Sequence, residues 1–276
     1  MRCLANLMIG MADTILKHEW LKLSSRRTQP YIIEDVSVII PSTAKRFNKR
    51  LEWFWSQFVA KTDPQVVEHT IIPCDPSELD YLKALTQGRA TLVPTQPRYI
   101  VNKTLSALEI IKTRLTFRLA NDIMVVREGW EKVLVDQFNA EEKLQIIGEG
   151  QHGTSYPDTL IGLQRDWEYL RREYPRPATA AVYLHGSRLF AQTAVWRAYY
   201  SHVRDYTAHD HDELVFSQIA RGDGTVFVDF RGLNSYLCHI GITNKDFTDD
   251  YITSHIERRR KELEKGDGKF VFHIMQ

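Results

Sequence analysis

The run Val36-Ser37-Val38-Ile39-Ile40-Pro41 constrains the fold of this chain more than any other stretch. Four β-branched residues around a single serine, ended by a proline that cannot continue a ladder, are the pattern of a strand covered on both faces. Such a strand belongs to a parallel sheet with helices on both sides. The next segment agrees: Phe47, Leu51, Phe54, Trp55 and Phe58 recur at three- and four-residue spacing, which predicts an amphipathic helix over Ala44 to Lys61. Val66 to Pro73 then reads as a second strand, so the chain opens its organised part with a βαβ unit.

Further elements follow the same α/β logic. Val101, Leu105, Leu108, Ile111 and Leu115 mark one face of a helix that runs into Leu115-Thr116-Phe117-Arg118-Leu119, which alternates as a strand does. Ala180 to Leu184 is strand-like and leads into His185-Gly186-Ser187, and Val226 to Phe230 supplies the last expected strand. The glycines Gly148, Gly150 and Gly153 mark Gly148 to Ser155 as a loop, without the strand-to-helix context of a dinucleotide-binding fingerprint. Residues 1–34, with a possible helix at Thr14 to Leu23, read as a preface, and the charged segment Ile256 to Lys265 reads as a solvated or docking helix.

Composition narrows the classes. A chain of 276 residues with 43% hydrophobic content is long enough for one large or two small domains. Its 36 Lys+Arg against 35 Asp+Glu leave +1, not the basic surplus of a nucleic-acid binder. Cys3, Cys74 and Cys238 lie far apart with no Cys-x-x-Cys, which fits a reducing compartment and suggests neither a disulfide framework nor a thiolate zinc site. No stretch approaches the ~20 apolar residues of a spanning helix. The expectation is a soluble cytoplasmic protein with no membrane span.

Three clusters have the chemistry for a site. Leu119-Ala120-Asn121-Asp122-Ile123 is a polar step cut into an apolar run, and it falls where a strand's carboxyl end delivers side chains to a ligand. A carboxylate there is suited to a divalent cation bridging phosphates, although a polar turn is the plainer reading. His209-Asp210-His211-Asp212-Glu213 precedes an apolar helical run, so one acid is expected to cap it. Five titratable residues exceed what a cap needs, and general-base catalysis is the functional reading. The third is Cys238-His239-Ile240-Gly241, whose histidine is either structural or able to complete an oxygen-rich metal site or contact a diphosphate.

In this order, Val36 to Ser42, Asn102-Lys103-Thr104-Leu105, Leu119 to Ile123, His185-Gly186-Ser187 and Asp210 to Leu214 resemble the GT-A fold glycosyltransferases, in particular family 2, over residues 35–242. The resemblance implies an α/β nucleotide-diphospho-sugar transferase fold, a Rossmann-like, mostly parallel central sheet flanked by helices. It implies an N-terminal extension at 1–34, a catalytic domain at 35–242 with a donor-binding half about 35–125 and an acceptor-binding half about 126–242, and a helical tail at 243–276.

It also implies roles. Pro41 and Ser42 would end the first strand beside the nucleotide, Asp75 would contact base or ribose, and Asn102 would contact the donor. Asn121-Asp122 resembles the Asp-x-Asp motif, with Asp122 next to Mn²⁺ or Mg²⁺, Gly186 lies near the acceptor and donor sugar, and His239 assists the metal or diphosphate. Asp212 is the expected catalytic base, with Asp210 or Glu213 as substitutes.

The implied activity is metal-dependent, inverting transfer of a sugar from a nucleotide-diphosphate sugar to a hydroxyl of a glycan or another acceptor, with no nucleic-acid partner. Ala120 stands at the first position of the Asp-x-Asp-like motif, and no Asp-Asp-Gly-Ser follows Cys74. These departures keep open a lapsed GT-A domain that binds a glycan or protein through Trp167, Tyr169, Trp196, Tyr199 and Tyr200. A sugar nucleotidyltransferase on the same sheet is the other alternative.

Overall fold

The computed structural model of the chain describes residues 29–42, 44–96, 100–140, 144–152, 182–203, 226–230, 233, 235–240, 253, 254, 257, 261 and 272–275. Among these, β1 (Val36–Ile39) leads into α1 (Ala44–Lys61), α2 (Pro64–Glu68), β2 (Thr70–Cys74), α3 (Leu79–Thr86), β3 (Thr91–Pro94), α4 (Ile100–Ile110), β4 (Leu115–Leu119) and β5 (Ile123–Val125). Then come α5 (Trp130–Ala140), β6 (Leu144–His152), β7 (Val182–Gln192), α6 (Thr193–Val203), β8 (Val226–Phe230), β9 (Leu237–His239) and β10 (Phe272–Met275).

The fold is α/β, built on an eight-stranded sheet ordered β10-β8-β6-β7-β4-β1-β2-β3. Strands β3, β2, β1, β4, β6 and β8 run one way, and β7 and β10 run the other. A second, two-stranded sheet pairs β5 with β9 in antiparallel fashion, Ile123 opposite His239.

Every residue of β1 and β4 is buried, because helices cover both faces of the sheet. On one face Val36, Val38, Leu115, Phe117 and Leu119 join Phe54 and Phe58 of α1 and Trp130 and Phe138 of α5 in a single apolar core. Phe117 lies near the centre of its aromatic cluster, 5.1 Å edge-on from Phe190, 6.1 Å from Trp130 and 6.4 Å stacked on Phe138.

The other face is quite different. The alternation in β4 suggests a wet face, but Thr116 and Arg118 are buried beneath α6. The Thr116 and Thr193 hydroxyls are 2.8 Å apart, and the Trp196 indole donates to the Thr116 carbonyl at 2.8 Å. The Arg118 guanidinium donates to the Tyr200 hydroxyl and lies 5.4 Å from the Trp196 ring. Trp196 and Tyr200 are therefore core residues, not part of an aromatic recognition surface. Burial of polar groups is tolerable here because they are paired.

Several expectations shift. The helix over Ala44–Lys61 and the strand over Val226–Phe230 stand as read. Val66 to Glu68 belongs to α2, and the second strand begins at Thr70: Asp63 accepts from the Gln65 amide and Pro64 occupies the first turn, so a short helix is capped there first. Gly148 and Gly150 are strand residues of β6 rather than a loop, at an irregularity in its pairing with β7. The strand expected to end at Leu184 continues through His185-Gly186-Ser187 to Gln192. Val226–Phe230 is not the last strand, since β9 and β10 follow. The possible helix at Thr14 to Leu23 and the aromatic residues Trp167 and Tyr169 lie outside the described residues.

Phe117→Ala would remove the ring shared by strand, helix and neighbouring strand, and should destabilise the protein by about 3–5 kcal/mol. Urea unfolding followed by tryptophan fluorescence measures it; a loss under about 1 kcal/mol would place the weight of the core elsewhere.

Candidate functional site

The parallel strands set the site's position. The carboxyl ends of β3, β2, β1 and β4 lie along one edge, so Thr95, Asp75, Pro41-Ser42 and Ala120-Asn121-Asp122 emerge there together. Chain order reverses between β1 and β4, with β2 and β3 on one side and β4 on the other. Such a reversal opens a crevice at the carboxyl ends of an open α/β sheet, where ligands bind.

Around that reversal the backbone is tied down. The Ser42 amide donates to the Pro73 carbonyl at 2.9 Å, and the buried Lys103 ammonium of α4 donates to the Ser42 carbonyl. Asp75 caps its own turn, accepting through Oδ1 from the Ser77 amide at 2.9 Å and hydroxyl at 2.6 Å. Asn102, one residue before Lys103, has its Oδ1 buried without a hydrogen-bond partner among the described residues. The Cys74 thiol is pushed up to about 11, chiefly by burial, which leaves it protonated and a poor nucleophile.

Beyond β4 the chain makes the Asn121-Asp122 turn and re-enters as β5. Three side chains of α1, spaced seven and four residues apart, hold this segment. Arg50 donates to Asn121 Oδ1 from Nε at 2.9 Å and from Nη2 at 2.5 Å. Gln57 donates to the Ile123 carbonyl and accepts from the Val125 amide, each at 3.0 Å, so its amide stands in for a neighbouring strand. Lys61 donates to the Val126 carbonyl at 2.7 Å. At 3.6 residues per turn these positions form one stripe of the helix.

The opposite edge of β5 pairs with β9, which brings His239 to Asp122. The His239 Nε2 lies 3.3 Å from Asp122 Oδ2, and the Ile240 amide donates to the Asp122 carbonyl at 3.1 Å. Arg50 Nη1 is 3.9 Å from the same Oδ2. Asp122 Oδ1 is buried with no hydrogen-bond partner among the described residues. Burial pushes the Asp122 carboxyl up, but His239 and Arg50 outweigh that effect and hold it below the ordinary value of 3.8.

A second cation lies beneath. Arg188 of β7 is fully buried and donates to the Leu237 carbonyl, which fastens β9 to the main sheet. Burial pulls its guanidinium down to about 10, against the opposing charge of Asp122. Gly186 is also close by: the Ala120 amide donates to the Ser187 carbonyl at 2.8 Å, and Arg118 donates to the Gly186 carbonyl at 3.2 Å.

Thus Pro41, Ser42, Asp75, Asn121 and Asp122 follow the ends of parallel strands, Gly186 adjoins the turn, and His239 meets Asp122. Asp210, Asp212 and Glu213 lie outside the described residues. Arg50, Gln57, Lys103 and Arg188 escaped the sequence reading. Polar side chains on an amphipathic helix or in a strand look solvated, and only tertiary contacts give these four their partners: the Asn121–Val125 segment for Arg50 and Gln57, the Ser42 carbonyl for Lys103 and the Leu237 carbonyl for Arg188.

The donor set suits a divalent cation. Among the described residues no group of three or more His, Cys, Asp or Glu side chains converges. One carboxylate with an unpartnered buried oxygen and one imidazole nevertheless match how Mg²⁺ or Mn²⁺ is held when phosphates and water complete the shell.

No family model matches the chain, and no curated protein does. Among solved structures it is similar to apo mouse xyloside xylosyltransferase 1, with 12% identity and a TM-score of 0.43 over 70% of this chain and 83% of that one. It is similar to 4-diphosphocytidyl-2C-methyl-D-erythritol synthase from Anaerococcus prevotii, with 13% identity and a TM-score of 0.42 over 66% of this chain and 82% of the other. A third is glucosyl-3-phosphoglycerate synthase from Mycobacterium tuberculosis, described in complex with Mn²⁺, UDP-glucose and phosphoglyceric acid, with 14% identity and a TM-score of 0.38 over 58% of this chain and 57% of that one. At these identities and scores the likenesses transfer neither a residue's role nor a substrate.

Asp122→Asn tests the electrostatics directly. A depressed carboxyl contributes stability above its unfolded pKa, and that contribution is lost as pH falls through the native value. The variant should be less stable than wild type by about 1–3 kcal/mol at pH 7. The gap should close as the pH is taken below the ordinary 3.8. Urea midpoints across pH read this out; a gap independent of pH would mean the charge is not what matters.

Proposed function

We propose that this chain is a GT-A glycosyltransferase that moves a sugar from a nucleotide-diphosphate sugar to an acceptor hydroxyl with inversion, dependent on a divalent cation. The observation that carries the reading is the Asp122 carboxylate, held beside His239 at the carboxyl edge of a parallel sheet, with one buried oxygen that has no hydrogen-bond partner among the described residues. A site of this kind suits a ligand that brings its own oxygen atoms.

In this reading Asp122 and His239 would hold Mn²⁺ or Mg²⁺. Bound there, the ion supplies Lewis-acid stabilisation of the charge building on the departing diphosphate. Arg50 fixes Asn121 and lines the same turn. Pro41, Ser42, Asp75 and Asn102 form the nucleotide side of the crevice, and Gly186 lies on the sugar side. Residues 35–125 bind the donor, and residues 126–242 contribute the acceptor side, a glycan or another hydroxyl-bearing molecule. Asp212, with Asp210 or Glu213 as substitutes, takes the proton from the acceptor hydroxyl as that oxygen attacks the anomeric carbon. The nucleoside diphosphate leaves from the opposite face.

A panel of nucleotide sugars with Mn²⁺, scored for thermal stabilisation and slow donor hydrolysis, identifies the donor, because a ligand that binds only the native state raises its apparent stability. With that donor, Asp212→Asn is expected to lower transfer by about 10²–10⁴-fold with donor affinity largely kept. Asp122→Ala is expected to weaken metal-dependent donor binding. Donor binding indifferent to EDTA and to Asp122→Ala would remove the metal role. Release of pyrophosphate instead of a nucleoside diphosphate would replace sugar transfer with nucleotidyl transfer.

A further inference from the structure

The carboxylate proposed to take a metal ion already faces a cation. Arg50 is clamped by two hydrogen bonds to Asn121 Oδ1 and places Nη1 3.9 Å from Asp122 Oδ2. The pair is poorly solvated, with side-chain exposures of 13% for Arg50 and 14% for Asp122. In so dry a setting a fixed positive charge is little screened. Arg188 adds a second buried positive charge from the β7 side, whereas His239 is the remaining titratable group facing Asp122 among the described residues. Asn121 has no charge to offset either arginine. Among the described residues, two fixed positive charges therefore face one carboxylate at this turn.

We propose that Arg50 is the resident counter-cation of the Asp122 site: its fixed charge opposes a bare divalent ion, which is admitted only with a polyanionic ligand, such as a diphosphate, that neutralises both. The proposal rests on the metal reading of Asp122 given above. Arg50 acts through Asp122 and Asn121 and is a positioning residue. The hydrogen-bond clamp and the charge are separable, because a lysine keeps the charge without the guanidinium fork, while a glutamine keeps one donor without the charge.

The test is Mn²⁺ binding to the full chain with no nucleotide, read from the electron paramagnetic resonance signal of free Mn²⁺ at fixed ionic strength. Arg50→Gln is expected to bind Mn²⁺ at least about tenfold more tightly than wild type, Arg50→Lys to stay within about twofold of wild type, and the Arg50→Gln, Asp122→Asn double variant to lose the gain. A purely structural role predicts the reverse, because loosening the Asn121-Asp122 turn weakens binding in both single variants. Arg50→Gln binding no better than wild type, while Asp122→Asn abolishes wild-type binding, overturns the counter-cation and leaves the metal assignment standing. Absence of Asp122-dependent binding in both wild type and Arg50→Gln overturns the metal assignment and the counter-cation together. Thermal unfolding of each variant without Mn²⁺ identifies any that fails to fold, and Arg50→Met, which also removes the charge, then takes the place of Arg50→Gln with the same expected gain.

Discussion

The site depends on one polar seam, the contact between the stripe Arg50-Gln57-Lys61 of α1 and the segment Asn121–Val126. Segment β5 is only three residues long and would be an unstable strand by itself. It exists because β9 satisfies one edge and the Gln57 amide the other, at the Ile123 carbonyl and the Val125 amide. An unpaired buried peptide group costs on the order of 1–3 kcal/mol. The seam thereby turns a stretch that would otherwise be irregular into a rigid platform. Rigidity there fixes the backbone of Asp122 and the distance to His239.

Seen this way, α1 has two jobs on adjacent stripes. Phe54 and Phe58 drive its burial against the sheet, stacked at 5.5 Å, with Trp55 stacked on Phe58 at 5.7 Å. That apolar contact supplies the favourable free energy, at roughly 25 cal/mol per Å² buried. The polar stripe, whose hydrogen bonds contribute little net, supplies register instead. If the helix rotated or slid by one residue, the Gln57 amide would miss both backbone partners.

The division between what the sequence made legible and what it hid follows sequence distance. Elements set by local pattern were readable: the β-branched run of β1, the aromatic periodicity of α1, and the strand over Val226–Phe230. The placement of Asn121-Asp122 after a strand was readable for the same reason. What escaped was non-local. β5 and β9 are three residues each and carry no period to count, yet their pairing joins residues over a hundred positions apart and makes a neighbour of His239. Gly148 and Gly150 misled because glycine argues for a turn locally, whereas interior pairing with β7 and β8 overrides that preference. Arg118 in β4 misled through alternation: a charged residue in a strand suggests a wet face, but α6 offers Tyr200 and Trp196 to hold it.

Buried arginines at this edge also explain why one carboxylate is tolerated there. Arg188 is fully buried, and its guanidinium is drawn down to about 10 because burial penalises the charged form. An isolated buried cation of this kind is expensive. Asp122 lies near enough to oppose that penalty, and Arg50 and His239 in turn hold Asp122 ionised. Each charge is thus held by a specific partner or element: Arg188 by the Leu237 carbonyl, Arg50 by the Asn121 side-chain oxygen, and His239 by the place of its backbone in the β5–β9 ladder. A preorganised set of charges changes little in geometry when a ligand arrives, so interactions with charge that develops during a reaction carry little reorganisation cost. The same arrangement makes the turn sensitive to net charge, because at side-chain exposures of 13% for Arg50 and 14% for Asp122 solvent screens an added dication or a lost arginine only weakly.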